Sequence, residues 1–155
     1  MLRTVISILA ILILAIMPLR AEENGLRTTP SNSSAALTLS KLDQAIMSRG
    51  MKVFAHIDHS AAAKEAGLTM PPATVVIFGN PKGGTPNFLK QPTLAIDLPL
   101  KMLVWENAEG QTFVTYNSGS YVFGTLFGRH GLKLPSAVAE GQEKMLNALS
   151  TSAIN

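Results

Sequence analysis

The chain has 155 residues, with thirteen basic and ten acidic side chains, three histidines and no cysteine. Without cysteine it can form no disulfide and carry no lipid-modified cysteine, so its stability must come from an ordinary core. Its length is that of a single domain.

The first 21 residues have the pattern of a removable export signal. Arg3 precedes an apolar stretch, Val5 to Pro18, that contains no charge. This stretch is shorter than the roughly 20 residues that a membrane-spanning helix needs, and the small residue Ala21 precedes a polar segment. We therefore expect a signal peptide over 1–21 and a periplasmic or secreted mature protein. An uncleaved membrane anchor is the alternative.

The charge of the mature chain excludes one class of partner. Arg3 and Arg20 leave with the signal, so eleven basic and ten acidic side chains remain, scattered along the sequence. Proteins that bind a phosphate backbone carry clustered basic residues. We therefore expect no nucleic-acid partner, and no membrane contact after cleavage of the signal.

The N-terminal part of the mature chain predicts a leader followed by a helix. Residues 22–35 are polar and rich in Asn, Ser, Thr and Pro, which is typical of a flexible leader. From Leu39 to Met47, apolar residues recur at three- and four-residue steps, with Thr38 as a cap and Gly50 at the end.

A strand and a second helix follow directly. Residues 51–58 alternate, with the odd-numbered side chains on one face and His56 on the other. Ser60 can cap a short alanine-rich helix over 61–66, which Gly67 would end.

The next segment predicts a buried strand and a loop. Residues 74–78 are β-branched and continuously apolar, which favours a central strand. The following stretch, 79–86, combines glycine, proline, Asn and Thr and predicts an irregular loop. A short helical piece is expected over 87–91.

The C-terminal half predicts a hairpin and two helices. Strands over 98–106 and 112–116 are joined by a turn that ends in Gly110. An aromatic-bearing helix is expected over 121–130, and an amphipathic helix over 136–149. Because a sheet with apolar inner positions must be covered, we predict an α+β two-layer sandwich, about four-stranded, with helices on one face.

Four motifs in this order resemble the prokaryotic domain of unknown function 302 family. They are Phe54–His59 (FAHIDH), residues 79–86 (GNPKGGTP), Asp97–Lys101 leading into Val104-Trp105-Glu106, and Tyr116-Asn117.

This resemblance implies an α+β domain that is often exported and sometimes homodimeric, with no reaction established. It covers a core over 36–132 and leaves 133–155 as a C-terminal helical extension that the family does not require. Asn87-Phe88 departs from the family pattern, in which small or apolar residues are expected after Gly84-Thr85-Pro86.

One motif offers a metal-binding hypothesis. His56, Asp58 and His59 are residue types that bind zinc or non-haem iron. Strand alternation directs the two histidines to opposite faces, so capping of backbone amides is the preferred interpretation. No other cofactor is expected, because 79–86 lacks the spacing of a nucleotide-binding loop.

Polar residues recur where the predicted strands end, and these form the candidate site. We predict a non-enzymatic domain that binds a small molecule or partner protein there, possibly as a homodimer. The alternative is an enzyme or metal-dependent factor that uses Asp58 and His59. The predicted ligand-binding residues are Asp58, His59, Asn80, Thr85, Asp97 and Tyr116.

Overall fold

The computed structural model describes residues 24–155, which form one antiparallel sheet with helices packed against one face. The predicted α+β class is confirmed, with five strands in the order β1-β5-β4-β3-β2. The predicted signal over 1–21 lies outside the described residues. The strands are β1 (Leu26–Pro30), β2 (Lys52–Asp58), β3 (Ala73–Gly79), β4 (Leu100–Glu106) and β5 (Thr112–Asn117), and the helices are α1 (Ala35–Ser48), α2 (His59–Glu65), α3 (Pro81–Lys90), α4 (Phe127–Arg129) and α5 (Ser136–Ile154).

The prediction of a flexible leader over 22–35 is wrong for Leu26–Pro30, which form a strand, and for Ala35, which begins α1. Leu26–Pro30 pairs with β5 as an edge strand, and Thr28 Oγ1 lies 2.9 Å from Thr115 Oγ1 across the pair. Its polar composition gave no sign of a strand, because β1 is an edge strand that pairs on one side only and none of its residues is fully buried.

Helix α1 begins earlier than its predicted cap. The Ser34 hydroxyl accepts a hydrogen bond from the Leu37 amide and caps the helix. Thr38 is instead fully buried inside the first turn, where its hydroxyl contacts Ser31 Oγ at 2.7 Å. Gly50 follows the helix with a positive φ of 69°, as its position predicts.

A bulge in β2 changes the predicted alternation. Val53 lies opposite Phe78 and Ala55 lies opposite Ile77, so Phe54 is an extra residue. Beyond the bulge the faces exchange, and His56 lies on the helix-covered face opposite Val76. The prediction that odd-numbered residues share one face is therefore wrong after Phe54.

The stretch predicted as a loop over 79–86 is the first part of α3. Asn80 caps this helix, and Pro81 occupies its first position, where its missing N–H costs nothing. The sequence does not predict this helix because it contains Gly83, Gly84 and Pro86, and glycine and proline are unfavourable in a helix interior.

The C-terminal helix belongs to the core and is not an extension. It packs against α1 and against the π-helical segment Ser120–Leu126. Sheet and helices meet in a single core, whose fully buried side chains include Leu42, Ile46, Val76, Phe78, Leu94, Met102, Val114, Leu146 and Leu149. Within residues 24–155, no helix has both the length and the apolar character needed to cross a membrane.

Candidate functional site

The six predicted site residues do not surround one hollow. Strands β2 and β3 are antiparallel, with Asp58 opposite Thr74 and Lys52 opposite Gly79. At about 3.4 Å per residue, the six steps along β2 separate the two ends of the sheet by about 20 Å. Asp58 and His59 lie at one end, while Asn80 follows β3 at the other. The predicted common hollow is therefore wrong for this set.

The side chain of Asp58 is used by its own turn. It caps α2, accepting hydrogen bonds from the Ser60 hydroxyl and from the Ala61 amide at 2.9 Å. These two hydrogen bonds lower the pKa of the Asp58 carboxyl. Asp58 rather than Ser60 is thus the cap, and His59 is the exposed first residue of α2.

The metal-binding alternative has no converging ligands. His56 turns toward α1, where its Nε2 lies 3.0 Å from Asp43 Oδ1. Asp58 and His59 begin α2. In the described part of the chain, no three histidine, cysteine, aspartate or glutamate side chains are grouped so that they could hold a metal ion.

At the opposite end, Asn80 performs the same local task as Asp58. Its side-chain oxygen accepts a hydrogen bond from the Lys82 amide at 3.0 Å, and its backbone oxygen accepts from the Gly83 and Gly84 amides. The first-turn amides of α3 are therefore already bonded and do not form an anion site. Thr85 is exposed on the outer side of this helix.

Asp97 belongs to a polar cluster that sequence reasoning did not find. Its Oδ2 lies 2.7 Å from His130 Nε2 and 2.9 Å from Arg129 Nε. The other ring nitrogen of His130 lies 2.8 Å from Thr93 Oγ1. The cluster joins the chain before β4 to the end of α4. Asp97 therefore fixes the residues that follow it, including Leu98.

Thr93, His130 and Asp97 are hydrogen-bonded in the same order as the hydroxyl, imidazole and carboxylate of a catalytic triad. Thr93 is exposed on a single 3₁₀ turn, Pro92–Ile96, and does not line the cavity described below. An anchoring role for His130, whose side chain is 8% exposed, accounts for these contacts.

Tyr116 is buried beneath α5. Its hydroxyl donates a hydrogen bond to Asn147 Oδ1 at 2.7 Å. Burial raises the pKa of the Tyr116 hydroxyl, and the negative charge of Glu143 raises it further. Tyr116 is only 5% exposed, so it stabilises the contact between sheet and helix and presents no group to a ligand.

A cavity of about 260 Å³ lies at the α3 end of the sheet. Its walls are the start of β2, the end of β3, the start of β4, the π-helical segment with α4, the inner side of α3 and the first half of α5. The side chains that line it are mainly aromatic and aliphatic, and include Met51, Phe54, Phe88, Leu98, Leu100, Phe123, Phe127, Leu134, Val138 and Met145.

Few polar groups face this cavity. Asn80, Asn87 and Gln142 line it, and none of the described lining residues is charged. Asn87 Nδ2 donates to the Gly83 carbonyl at 3.3 Å. The half-buried amide of Gln142 has no hydrogen-bond partner among residues 24–155, so it is free to contact a ligand.

Of the six predicted site residues, Asn80 alone lines the cavity, and Asp97 lies just outside it. The lining phenylalanines were missed because they come from three separate segments of the chain. A partial signal exists, since Phe123 and Phe127 are four residues apart in a helical stretch and share a face. π-Helical turns such as Ser120–Leu126 are frequent at functional sites.

The fold and the cavity define a small two-layer α+β domain with an apolar pocket at one end of its sheet. Residues 27–152 match the model of a family described as a domain of unknown function, DUF302, and the chain belongs to this family. The match includes nearly all of β1 and of α5, so the predicted family core over 36–132 is too short at both ends.

A solved structure shares the fold. A crystal structure of an uncharacterised conserved DUF302 protein from Bacillus stearothermophilus superimposes with a TM-score of 0.69 at 19% identity, covering 83% of this chain and 98% of that one. At this identity the similarity shows the fold alone.

Curated relatives carry a similar sequence inside longer proteins. A fluoride-specific ion channel, FluC 1, from Brucella suis biovar 1 (strain 1330) is 41% identical over 117 residues, which is 76% of this chain and 44% of that protein. FluC 2 from Brucella melitensis biotype 1 (strain ATCC 23456 / CCUG 17765 / NCTC 10094 / 16M) is equally similar, with 42% covered. The chain therefore spans less than half the length of these relatives.

Proposed function

We propose that this domain binds a small, uncharged and largely apolar molecule in the cavity beneath α3. The observation that carries this proposal is a cavity of about 260 Å³ whose described lining contains no charged side chain. A concave, mainly apolar pocket with a few polar groups is the usual form of a small-molecule site.

The lining selects against charged ligands. Burying an ion without a partner of opposite charge is strongly unfavourable. The polar side chains that line the cavity are amides. Asn80 uses its oxygen to cap α3, which leaves Asn87 and Gln142 to donate to or accept from a neutral polar group. A ligand with one hydroxyl, amide or carbonyl group on an apolar body fits this arrangement.

The volume limits the size of the ligand. An apolar cavity of about 150 Å³ binds benzene. A cavity of about 260 Å³ therefore has room for a molecule of bicyclic size, such as a naphthalene derivative. Naphthol combines that size with one neutral hydroxyl group and serves as a probe.

An enzymatic role for Asp58 and His59 has less support. Asp58 is bonded to its own helix cap, and His59 lies on the surface about 20 Å from the cavity end. Binding without a reaction is the function that the arrangement favours.

Calorimetric titration with naphthol tests the proposal. Met145 is half-buried in the cavity wall, so Met145→Trp places a larger ring in the space that a ligand would use. We expect wild type to bind naphthol and this variant to bind at least tenfold more weakly, a difference of about 1.4 kcal/mol.

The matched control is Met47→Trp, because Met47 is exposed on α1 away from the cavity. It should bind naphthol as wild type does, and thermal unfolding should show that both variants are folded. Equal binding by Met145→Trp and Met47→Trp would refute the proposed site.

A second candidate function follows from the curated relatives. Because the matched stretch forms part of proteins named fluoride-specific ion channels, we propose that the domain assists a fluoride channel as an accessory domain. This role concerns a partner and not fluoride binding, since the cavity has no cationic side chain for an anion.

Growth in fluoride tests this second candidate. A strain without the domain should be more sensitive to fluoride than its parent, and the full chain should restore resistance. Unchanged sensitivity, in a background where loss of the channel itself raises sensitivity, would contradict it. Export and a homodimeric state stay predictions of the sequence.

A further inference from the structure

The outer side of α3 and the turn after it carry an unusual surface. Leu89 is 79% exposed and Ile96 is 76% exposed, the highest values among the large apolar side chains in the described part of the chain. The two residues belong to consecutive elements that pack against each other. Neither side chain contributes appreciable burial to the isolated domain.

Helix α3 separates the cavity from solvent as a single layer. Gly84 and Phe88, one turn apart, line the cavity. Lys82, Pro86 and Leu89 recur at four- and three-residue steps and are all exposed, so they form the opposite side of the helix. One side of α3 thus faces the proposed ligand and the other faces outward.

The segment that carries this surface is positively charged. Between residues 80 and 101 the chain has three lysines, Lys82, Lys90 and Lys101, and a single carboxylate, Asp97. That carboxylate is already paired with Arg129. Exposed aliphatic residues flanked by lysines are typical of surfaces that bind anionic lipid, because the aliphatic groups enter the interface and the lysines meet the headgroups.

We propose that the outer side of α3, with Leu89 and Ile96, docks on an anionic lipid surface. An apolar ligand would then pass from the lipid into the cavity around α3. Gly83, Gly84 and Pro86 favour such an opening, since they weaken the helix that forms the wall. The passage of ligand rests on the proposed function, whereas the docking does not. This proposal replaces the expectation, drawn from net charge, of no membrane contact.

Tryptophan reporters in the full chain test the docking. Leu89→Trp places a reporter at the proposed contact. Its matched control is Leu68→Trp, at a residue 66% exposed just after the turn that follows α2. Each is compared with wild type, whose Trp105 gives a constant background. The probes are vesicles of brominated phosphatidylcholine, with or without about one-third phosphatidylglycerol.

We expect the lipid to quench the Leu89→Trp reporter in anionic vesicles and not in neutral ones, with Leu68→Trp unaffected. Adding Lys82→Glu and Lys90→Glu should abolish the quenching, as should high salt. Equal quenching of both reporters, or none at Leu89→Trp, would overturn the docking. A blue shift of Leu89→Trp that grows with protein concentration without vesicles would assign the surface to a second copy of the chain, and would also overturn it.

Naphthol titration without vesicles separates the two proposals. If naphthol binds and Leu89→Trp is not quenched, the docking is wrong and the cavity site stands. If Leu89→Trp is quenched and naphthol does not bind, the docking stands and the passage of ligand is wrong.

Discussion

At each end of the sheet a strand is followed by a helix that a polar side chain caps, but only one of these helices covers a cavity. Asp58 caps α2 after β2, and Asn80 caps α3 after β3, each through a side-chain oxygen bonded to a first-turn amide. Neither helix has a fully buried residue, and no side chain of α2 lines the cavity. Helix α3 instead covers a cavity with Phe88. A polar residue at a strand end therefore identifies a helix start, and the neighbouring elements decide whether a site lies there.

The largest effect should come from removing the ring with which α3 faces the cavity. A fully buried Phe→Ala change costs about 3–5 kcal/mol, and Phe88 is half-buried, so Phe88→Ala should lower the free energy of unfolding by about 2 kcal/mol. Naphthol binding should weaken as well. Denaturant unfolding and calorimetry measure the two effects. At the other end of the sheet, Lys64→Ala in exposed α2 should change neither the free energy of unfolding nor naphthol binding. A comparable loss in Lys64→Ala would show that the two ends do not differ in this way.

Next in size is the loss of the cluster that anchors the wall before β4. Asp97→Ala leaves His130 and Arg129 without their shared acceptor, so we expect a loss of about 1.5 kcal/mol. Asp97→Asn keeps one acceptor oxygen and should lose less. Urea unfolding measures both variants, and identical stabilities for Asp97→Ala and wild type would show that the cluster anchors nothing.

Removal of the α3 cap should have a smaller effect on stability. Asn80→Ala deprives the Lys82 amide of its acceptor and should cost about 1 kcal/mol, while Asn80→Ser should retain most of that stability. Because α3 forms a cavity wall, Asn80→Ala should also weaken naphthol binding. Thermal unfolding and calorimetry measure the pair, and weakened binding without any loss of stability would point to direct contact by Asn80 instead.

The smallest effect is a pH dependence at the α2 end. Hydrogen bonds from Ser60 and Ala61 lower the pKa of Asp58 in the folded protein. Its stabilising contribution is therefore complete above the ordinary carboxyl pKa of about 3.9 and is lost as pH falls through the lowered folded value. Melting temperatures below about pH 4 should fall less steeply for Asp58→Asn than for wild type. Parallel profiles would contradict this assignment, and naphthol binding should be the same in both proteins.

The sequence predicted the elements that obey a local rule. The β4–β5 hairpin, the strand β3 and the glycine after α1 appear where hydrophobic pattern and turn chemistry place them. Local rules failed where tertiary contacts decide: β1 is polar because it is an edge strand, and α3 forms despite Gly83, Gly84 and Pro86 because it covers an apolar surface.

The cavity could not be predicted, because its lining comes from segments far apart in the chain. Phe54 reaches it from a bulge in β2, Phe123 from a π-helical turn and Met145 from α5. No spacing rule connects such residues. The pairing of Asp97 with His130 was missed for the same reason, since 33 positions separate them.

A neutral bicyclic ligand should bind at the α3 end of the sheet, and mapping backbone amide NMR shifts during a naphthol titration measures its position directly. We expect the shifts to concentrate at Phe88, Gln142 and Met145, around the cavity, with Ser60 and Ala61 unchanged. Shifts confined to the Asp58 end of the sheet, or none at saturating naphthol, would contradict the account.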